Sequence, residues 1–556
     1  MLIAGSEHPR AMDWAQLPIE LLPAILRHVG LQDRLCRCAL VSTAWAAAAK
    51  AATTSISISR PSATDLQETW AARVPSSASQ VSHLELTCQF TTWASSGQDL
   101  CILHLPCMLL RSLQVQGCGR RAMTVQLLGA GAMNCSSESA PLQLDDSNPE
   151  RSIPGLLDTA TGLTRLSLQM IVLHGDAEQQ LAAALTVLTD LQDLSLSLVR
   201  PYIPGEGQLP WLLSDSIMQQ LGGLTKLTQL QLAAFTKQLC SSAGVQHLSC
   251  LKRLCSLSLT KACCKQHPAG EPMLYPEATV LLHLTALTSL KLSCGVLSPH
   301  WDKLPSLGSL SSLQQLLLQC STIGFYVQGV CDCVWDPATV LAGVTGLRRL
   351  QARVPADASA LLAAVQQQKL LAHVELYVPR LEAAAAYAVC TASPELQSLV
   401  LNDIQLVDGA WGCMFPQGRL LPHLTSLQAV SYQKEQLSTG DLQLLVQACP
   451  ALQQLQVNLS WRDWPADVQL GQALAELSHL TQLCVPGVTD THLQQLLQLT
   501  GLQDLQLGSA DSISFEGVAV LTAMQQLTHL QFSVRRVAHK GFRNQYDYRC
   551  DSKVSL

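Results

Sequence analysis

The stretch that decides the fold runs from Leu480 to Leu507. It opens at residues 480–485 with Leu-Thr-Gln-Leu-Cys-Val, passes through leucines at helical spacing, and closes at residues 502–507 with Leu-Gln-Asp-Leu-Gln-Leu. Apolar residues that alternate indicate a strand with one buried face, whereas apolar residues three and four apart indicate a helix. One strand and one helix cannot bury their apolar faces alone, so this unit predicts a stack of similar units.

The same Leu-x-x-Leu-x-Leu phrase recurs across residues 53–533, mostly at intervals of 22 to 29 residues. The phrase and its spacing resemble those of leucine-rich repeat proteins. The resemblance implies an α/β solenoid, a horseshoe whose inner face is a parallel sheet and whose convex side carries helices. The interval of 53 residues between Leu110 and Leu163 predicts either a degenerate repeat or an inserted loop. Residues 129–155, rich in Gly, Ser, Pro and acidic residues, favour a flexible loop.

Composition excludes several classes of function. The net charge of −6 argues against a protein that binds nucleic acid by broad charge neutralisation. No run of 18 apolar residues is present, so we expect no membrane partner. The 21 cysteines form no Cys-x-x-Cys pair, and the first residues lack the apolar region of a signal peptide. These features predict reduced cysteines in a cytoplasmic or nuclear protein.

No catalytic motif is present. The sequence lacks a P-loop, a dinucleotide-binding Gly-x-Gly-x-x-Gly, a Gly-x-Ser-x-Gly and a His-Glu-x-x-His. The 15 histidines are scattered, and no set of residues suggests an acid, a base and a nucleophile. We therefore expect a protein that is not an enzyme and that has no cofactor and no metal.

A different pattern occupies residues 13–52, after a leader at residues 1–12 that we expect to be disordered. A Leu-Pro pair is followed by an apolar stripe at helical spacing, a glycine, a second short helical segment, and an ending of Leu-Val-x-x-x-Trp. This order resembles an F-box, a three-helix module. The resemblance implies binding to the Skp-type adaptor of a cullin ligase core. The adaptor-binding residues that it implies are Leu17, Pro18, Leu21, Ile25, Leu26, Val41 and Trp45.

Pro23 departs from this pattern because a proline inside a helix removes a backbone hydrogen bond and clashes with the preceding turn, at a cost of about 3 kcal/mol. A kinked or shortened first helix would follow. The alternative for residues 13–52 is a helical cap that shields the first repeat, since repeat arrays need caps. The two interpretations are compatible.

One charged patch stands out among the polar residues predicted for the inner face. Two neighbouring strands contribute Arg348, Arg349, Arg353, His373, Glu375 and Tyr377. Arginine and tyrosine are enriched in binding hot spots, so the patch is a candidate for substrate binding. The alternative is a solvated charge patch whose members partly pair with one another.

Three predicted insertions, at residues 200–215, 262–277 and 320–337, follow strands and should emerge on one side of the horseshoe. They contain six aromatic residues, Tyr202, Trp211, Tyr275, Phe325, Tyr326 and Trp335. Exposed aromatic residues on loops favour partner binding. The alternative is that these side chains only hold the loops against the repeats.

Residues 534–556 are predicted to form a basic tail, either flexible or a C-terminal cap.

The sequence favours two hypotheses for the function of the chain. The first is a substrate-recognition subunit of an SCF-type E3 ubiquitin ligase, in which the F-box binds the adaptor and the repeats bind an unknown protein substrate. The second is a non-catalytic scaffold of the cytoskeleton or ciliary axoneme, in which residues 13–52 act only as a cap.

Overall fold

In the computed structural model the chain divides into two compact units, residues 1–254 and residues 255–556. The described residues are 48, 55–59, 83–89, 100–104, 112–118, 124–128, 162–172, 177–199, 213–234, 242–261, 278–295, 306–321, 337–353, 364–377, 383–391, 393–402, 410–430, 438–458, 470–509, 513–533 and 551–555.

The first unit contains a parallel sheet of six strands in the order β1-β2-β4-β6-β7-β8. A separate parallel pair is formed by β3 and β5. The strands are β1 (Ser55–Ser59), β2 (His83–Gln89), β3 (Leu100–His104), β4 (Ser112–Cys118), β5 (Thr124–Leu128), β6 (Arg165–Val172), β7 (Asp193–Val199) and β8 (Gln229–Ala234).

The second unit contains eleven parallel strands that pair strictly in chain order, from β9 to β19. They are β9 (Ser256–Lys261), β10 (Ser289–Gly295), β11 (Gln315–Ser321), β12 (Arg349–Arg353), β13 (His373–Tyr377), β14 (Ser398–Asn402), β15 (Ser426–Val430), β16 (Gln454–Asn458), β17 (Gln482–Cys484), β18 (Asp504–Ser509) and β19 (His529–Ser533). A last strand, β20 (Asp551–Ser555), pairs antiparallel with β19.

Short helices connect successive strands. The α-helices are α1 (Ala177–Val187), α2 (Asp215–Gly223), α3 (Ser242–Gln246), α4 (Pro337–Leu341), α5 (Ala383–Thr391), α6 (Ala410–Met414), α7 (Thr439–Ala448), α8 (Leu470–Leu474), α9 (Asp490–Leu496) and α10 (Phe515–Thr522). A 3-10 segment, His247–Cys250, extends α3, and 3-10 segments at Ala278–His283 and Leu307–Ser309 precede β10 and β11. This succession of parallel strands and helical returns confirms the predicted leucine-rich repeat solenoid.

Leucines of the repeated phrase form the core. In the repeat around β8, for example, Leu227, Leu230 and Leu232 are all fully buried. The side chains between them point to the opposite face of the sheet because successive strand residues alternate. We call that opposite face the open face; its residues in β8, Gln229 and Gln231, are exposed. Burial along the strands thus follows the alternation predicted from the sequence.

A threonine hydroxyl often secures the entrance to a strand. Thr228 donates its hydroxyl to the carbonyl of Gln192 at 3.0 Å, and Thr288 donates to Cys255 at 3.0 Å. The same bond recurs at the entrances to β15, β17 and β19. Each bond links one repeat to the repeat before it, so it fixes the register of adjacent strands at their starting ends.

Strands β4 and β5 lie between Leu110 and Leu163. Strand β4 pairs directly with β6 in the main sheet. The intervening strand β5 pairs with β3 instead, which itself lies between β2 and β4 in the chain. Between β4 and β6, the described residues therefore supply one strand to a second sheet and none to the main sheet. Residues 129–155 lie outside the described residues.

Strands and a helix extend into the third predicted insertion and into the predicted tail. Strand β11 takes residues 320 and 321, and α4 begins at Pro337, so strand and helix occupy the ends of the third predicted insertion. Of the predicted tail, residues 551–555 form β20. The leader at residues 1–12 lies outside the described residues. Across the described part of the chain, no helix is long and apolar enough to cross a membrane.

Candidate protein-binding surface

The open face of strands β12 to β15 brings the charged candidates together. In the parallel register Arg349 lies opposite His373, Gln351 opposite Glu375, and Arg353 opposite Tyr377. The next pairing places Asn402 opposite Tyr377. Because parallel pairing holds neighbouring positions about 4.8 Å apart, these side chains form one continuous surface, which we call the β12–β15 surface.

A hydrogen-bond network crosses three strands of this surface. The hydroxyl of Tyr377 donates to Oε1 of Glu375 at 2.8 Å, and Nδ2 of Asn402 donates to the same oxygen at 3.4 Å. Nε2 of Gln428 in turn donates to Oδ1 of Asn402 at 3.2 Å. The Glu375 carboxylate is therefore held from two sides. A side chain fixed in this way loses less conformational freedom when a partner binds.

The Tyr377 phenol stays protonated, as this network requires of a donor. Its pKa is raised above 10, first by burial and then by the hydrogen bond and negative charge of Glu375. The pKa of His373 is lowered below 6.5, first by burial and then by the positive charge of Arg349. Both shifts favour neutral side chains at neutral pH. The charges of the surface at that pH thus come from the arginines and Glu375.

The arginines do not pair with this carboxylate. Arg348 and Arg349 are exposed, and neither forms an ion pair with a carboxylate in the described part of the chain. Arg353 occupies the register position opposite Tyr377, and its side chain is not described. Among the described residues, the patch therefore pairs internally through the hydrogen bond from Tyr377 to Glu375 and not through an ion pair with an arginine, and Asn402 donates to the same carboxylate.

Half-buried apolar side chains flank the polar group. Leu317 on β11 lies opposite Gln351, and Val400 on β14 lies opposite Glu375, both on the open face. Each is partly exposed. Apolar side chains beside an ordered polar network are the usual make-up of a protein-binding surface.

Sequence reasoning missed three residues of this surface: the network members Asn402 and Gln428, and Gln351, which lies opposite Glu375. Polar residues occupy the open-face positions of nearly every repeat, so composition does not distinguish these three. An alignment of the repeats would have helped. Asn402 directly follows the last strand leucine, as Tyr377 does one repeat earlier, and the two are paired in register.

The other candidates lie outside the described residues. These are the seven predicted adaptor-binding residues, Leu17, Pro18, Leu21, Ile25, Leu26, Val41 and Trp45, and the six aromatic residues of the insertions, Tyr202, Trp211, Tyr275, Phe325, Tyr326 and Trp335. Of the predicted F-box module only Ala48 is described, and it is helical and buried. Within the described ranges, no group of three or more His, Cys, Asp or Glu side chains could hold a metal ion.

Two solved structures show what kinds of protein the chain is similar to. An internalin (inlF) from Listeria monocytogenes str. 4b F2365 is 13% identical over 65% of this chain and 89% of its own, with a TM-score of 0.33. The mouse RP105/MD-1 complex is 16% identical over 81% of this chain and 70% of its own, with a TM-score of 0.44. The repeat fold follows from the strands and helices described above rather than from either likeness.

Sequence comparisons add one family. A search of curated proteins found no match to this sequence. A family model described as F-box-like matches residues 14–53, in agreement with the resemblance noted at residues 13–52. The chain therefore combines an F-box-like segment at its N-terminal end with an array of leucine-rich repeats.

Proposed function

We propose that the chain is the substrate-recognition subunit of an SCF-type E3 ubiquitin ligase. The F-box-like segment binds the Skp-type adaptor, which joins the chain to the cullin core, and the repeats bind the protein to be ubiquitinated. The transfer chemistry belongs to the ligase partners, so this chain is not an enzyme. The observation that carries the proposal is the F-box-like match at residues 14–53, directly ahead of a repeat array.

The open face of the second unit supports the binding role of the repeats. A substrate receptor needs a surface that is ordered before the substrate arrives, since ordering on binding weakens affinity. The network of Tyr377, Glu375, Asn402 and Gln428 meets that need. Leu317 and Val400 add apolar area beside it. The function places the protein in the cytoplasm or nucleus.

Adaptor binding is the direct test. The full chain is mixed with purified Skp-type adaptor, and the complex is measured by pull-down and by calorimetry at micromolar protein. The double variant Leu17→Ala/Pro18→Ala should lose the complex because it removes two of the predicted contacts. The matched control, Arg348→Gln/Arg349→Gln, changes two residues of the repeats and should bind as the wild type does.

The result that overturns the proposal is an absence of association between the wild type and the adaptor at these concentrations. Deleting residues 13–52 then tests the other interpretation, in which this segment is a cap for the repeats. If the deletion unfolds or aggregates the array while the wild type binds no adaptor, the N-terminal segment is a cap. Localisation to the axoneme without ligase subunits would point to the scaffold function.

A further inference from the structure

The β12–β15 surface holds its opposite charges in different ways. Glu375 is fixed by two donors on one oxygen, whereas Arg348 and Arg349 extend from the sheet without a described carboxylate partner. An exposed guanidinium loses little solvation when it meets a carboxylate, and the planar fork of arginine can bind both oxygens. The arginines are thus available to a partner, and Glu375 is not available to them.

The balance of charge on this part of the open face is positive. Lys291 on β10 adds a further cation, two strands before Arg349, and it shares a sheet position with Leu317. Among the described residues of β9 to β15, Glu375 is the only open-face carboxylate. The next described one, Asp504, lies on β18, five strands beyond β13. A partner that complements this region must carry negative charge.

The spacing of the cations indicates how the negative charges of the partner are distributed. Strands β10 and β12 are separated by two strand spacings, and Arg349 lies two residues before Gln351, the position in register with Lys291. Lys291 and Arg349 therefore stand about 12 Å apart on the sheet. One compact anionic group cannot contact both. An extended polypeptide rises about 3.3 Å per residue, so carboxylates three to four residues apart are separated by about 10 to 13 Å, which matches this spacing.

We propose that the β12–β15 surface, together with Lys291, binds an acidic segment of a partner protein through carboxylates spaced along it. Tyr377 and Asn402 are positioning residues, which keep Glu375 away from the arginines. The inference rests on the proposed function only for the source of the segment, which is the ubiquitination substrate. Apolar residues of the same segment would contact Leu317 and Val400.

The positioning role follows from the reach of Glu375. Arg349 lies opposite His373, two residues before Glu375 on the same strand, so the two charged side chains are diagonal neighbours. Long side chains can meet across that diagonal. A released Glu375 would compete with the acidic segment for Arg349. The hydrogen bonds from Tyr377 and Asn402 prevent this competition.

Binding is tested with a fluorescein-labelled peptide of four Glu-Ser-Ser repeats and the folded full chain, by fluorescence anisotropy. The wild type should bind this peptide, should not bind the Gln-Ser-Ser analogue, and should bind more weakly as salt increases. Arg348→Gln/Arg349→Gln should reduce the affinity at least about tenfold. The control Lys369→Gln/Arg419→Gln removes the same charge outside the open face and should change the affinity less than about twofold.

The positioning role is tested with a double-mutant cycle. Glu375→Gln should strengthen binding because it removes a negative charge that repels the acidic segment. Tyr377→Phe should weaken binding about threefold in the wild type and should have no effect in the Glu375→Gln background. A merely structural role for Tyr377 would weaken binding equally in both backgrounds, and that result would overturn the positioning assignment.

Two outcomes overturn the binding proposal itself. The first is equal affinity for the Glu and Gln peptides, or no effect of the arginine substitutions. The second is tighter binding of a peptide whose only charged group is one phosphoserine, which would indicate one compact anion. Neither outcome affects adaptor binding, so the ligase function could stand while this surface is reassigned. If adaptor binding fails and the Glu peptide binds, only the source of the segment changes.

Discussion

The carboxylate of Asp490, at the first position of helix α9, accepts a hydrogen bond at 2.9 Å from the backbone N–H of Ser514, one repeat later. Ser514 is the N-cap of α10, and its hydroxyl accepts hydrogen bonds from the N–H groups of Glu516 and Gly517. Asp490 therefore stabilises the cap of the following helix. Coupling of this kind makes neighbouring repeats fold together.

Gly517 leaves the space that Asp490 occupies, since a methyl group at Gly517 would collide with the Asp490 carboxylate. We expect Asp490→Ala to lower the free energy of unfolding by about 1 kcal/mol. Gly517→Ala should also lower it in the wild type. In the Asp490→Ala background only the Ile513 side chain, whose Cγ2 would lie 3.0 Å from the new methyl group, has to shift, so the substitution should be neutral or stabilising because alanine is the better helix former. Urea unfolding of the four proteins measures this reversal. A destabilising effect of Gly517→Ala in both backgrounds would contradict it.

Helices α8 and α9 approach each other at Gly471. A methyl group there would collide with the backbone carbonyl of Gln495, which cannot rotate away as a side chain can. We expect Gly471→Ala to lower the free energy of unfolding by about 2 kcal/mol. Gly412 in α6 is the matched control, because a methyl group there would make only an ordinary contact with Leu444 at 3.8 Å. Thermal unfolding that ranks the two variants equally would refute the close approach.

His373 should titrate below pH 6.5 in the folded protein. Burial disfavours its charged form, and Arg349 adds to this effect, so Arg349→Gln should raise the pKa partway toward 6.5. Because the unfolded chain binds this proton first as the pH falls, His373 lowers stability as the pH decreases through about 6.5, until the folded form is also protonated. NMR titration of the imidazole measures the midpoint. A midpoint at or above 6.5 would contradict the lowering of the pKa by partial desolvation and by Arg349.

Buried cysteines should resist alkylation. Burial raises the pKa of Cys390 to about 12 and that of Cys484 to about 11, and it also raises the pKa of Cys449. Since the thiolate is the reactive form, iodoacetamide at pH 8 should modify these thiols at least about a hundredfold more slowly than the exposed Cys250. Peptide mass spectrometry gives the order of modification. Urea should abolish the difference, and persistent protection in urea would exclude folding as its cause.

The regular part of the fold could be predicted because one rule repeats. The position of each strand leucine determines which neighbours are buried and which lie on the open face. The placement of Arg349 opposite His373 required only that equivalent positions of consecutive repeats pair. The two-strand sheet of β3 and β5 was missed because its strands lie in the return segments, where the repeated phrase gives no information.

The chemistry of the open face was less predictable. Charge identified Arg349 and Glu375 as neighbours, but charge alone favoured a pair between them. The observed partners of Glu375 are the neutral groups of Tyr377 and Asn402. Which donor a carboxylate takes depends on side-chain directions and distances of a few tenths of an ångström, and periodicity does not specify these.

The last strand of the second unit has a consequence for assembly. The final parallel strand of a repeat array has an unpaired edge, and the first strand of another array could pair with it. Residues 551–555 occupy that edge on β19 while running in the reverse direction. They should prevent a further repeat from stacking on the array, because its parallel strand would meet a strand that runs in the opposite direction. Removing them should allow repeat arrays to associate end to end into filaments, which light scattering of the truncated chain would detect.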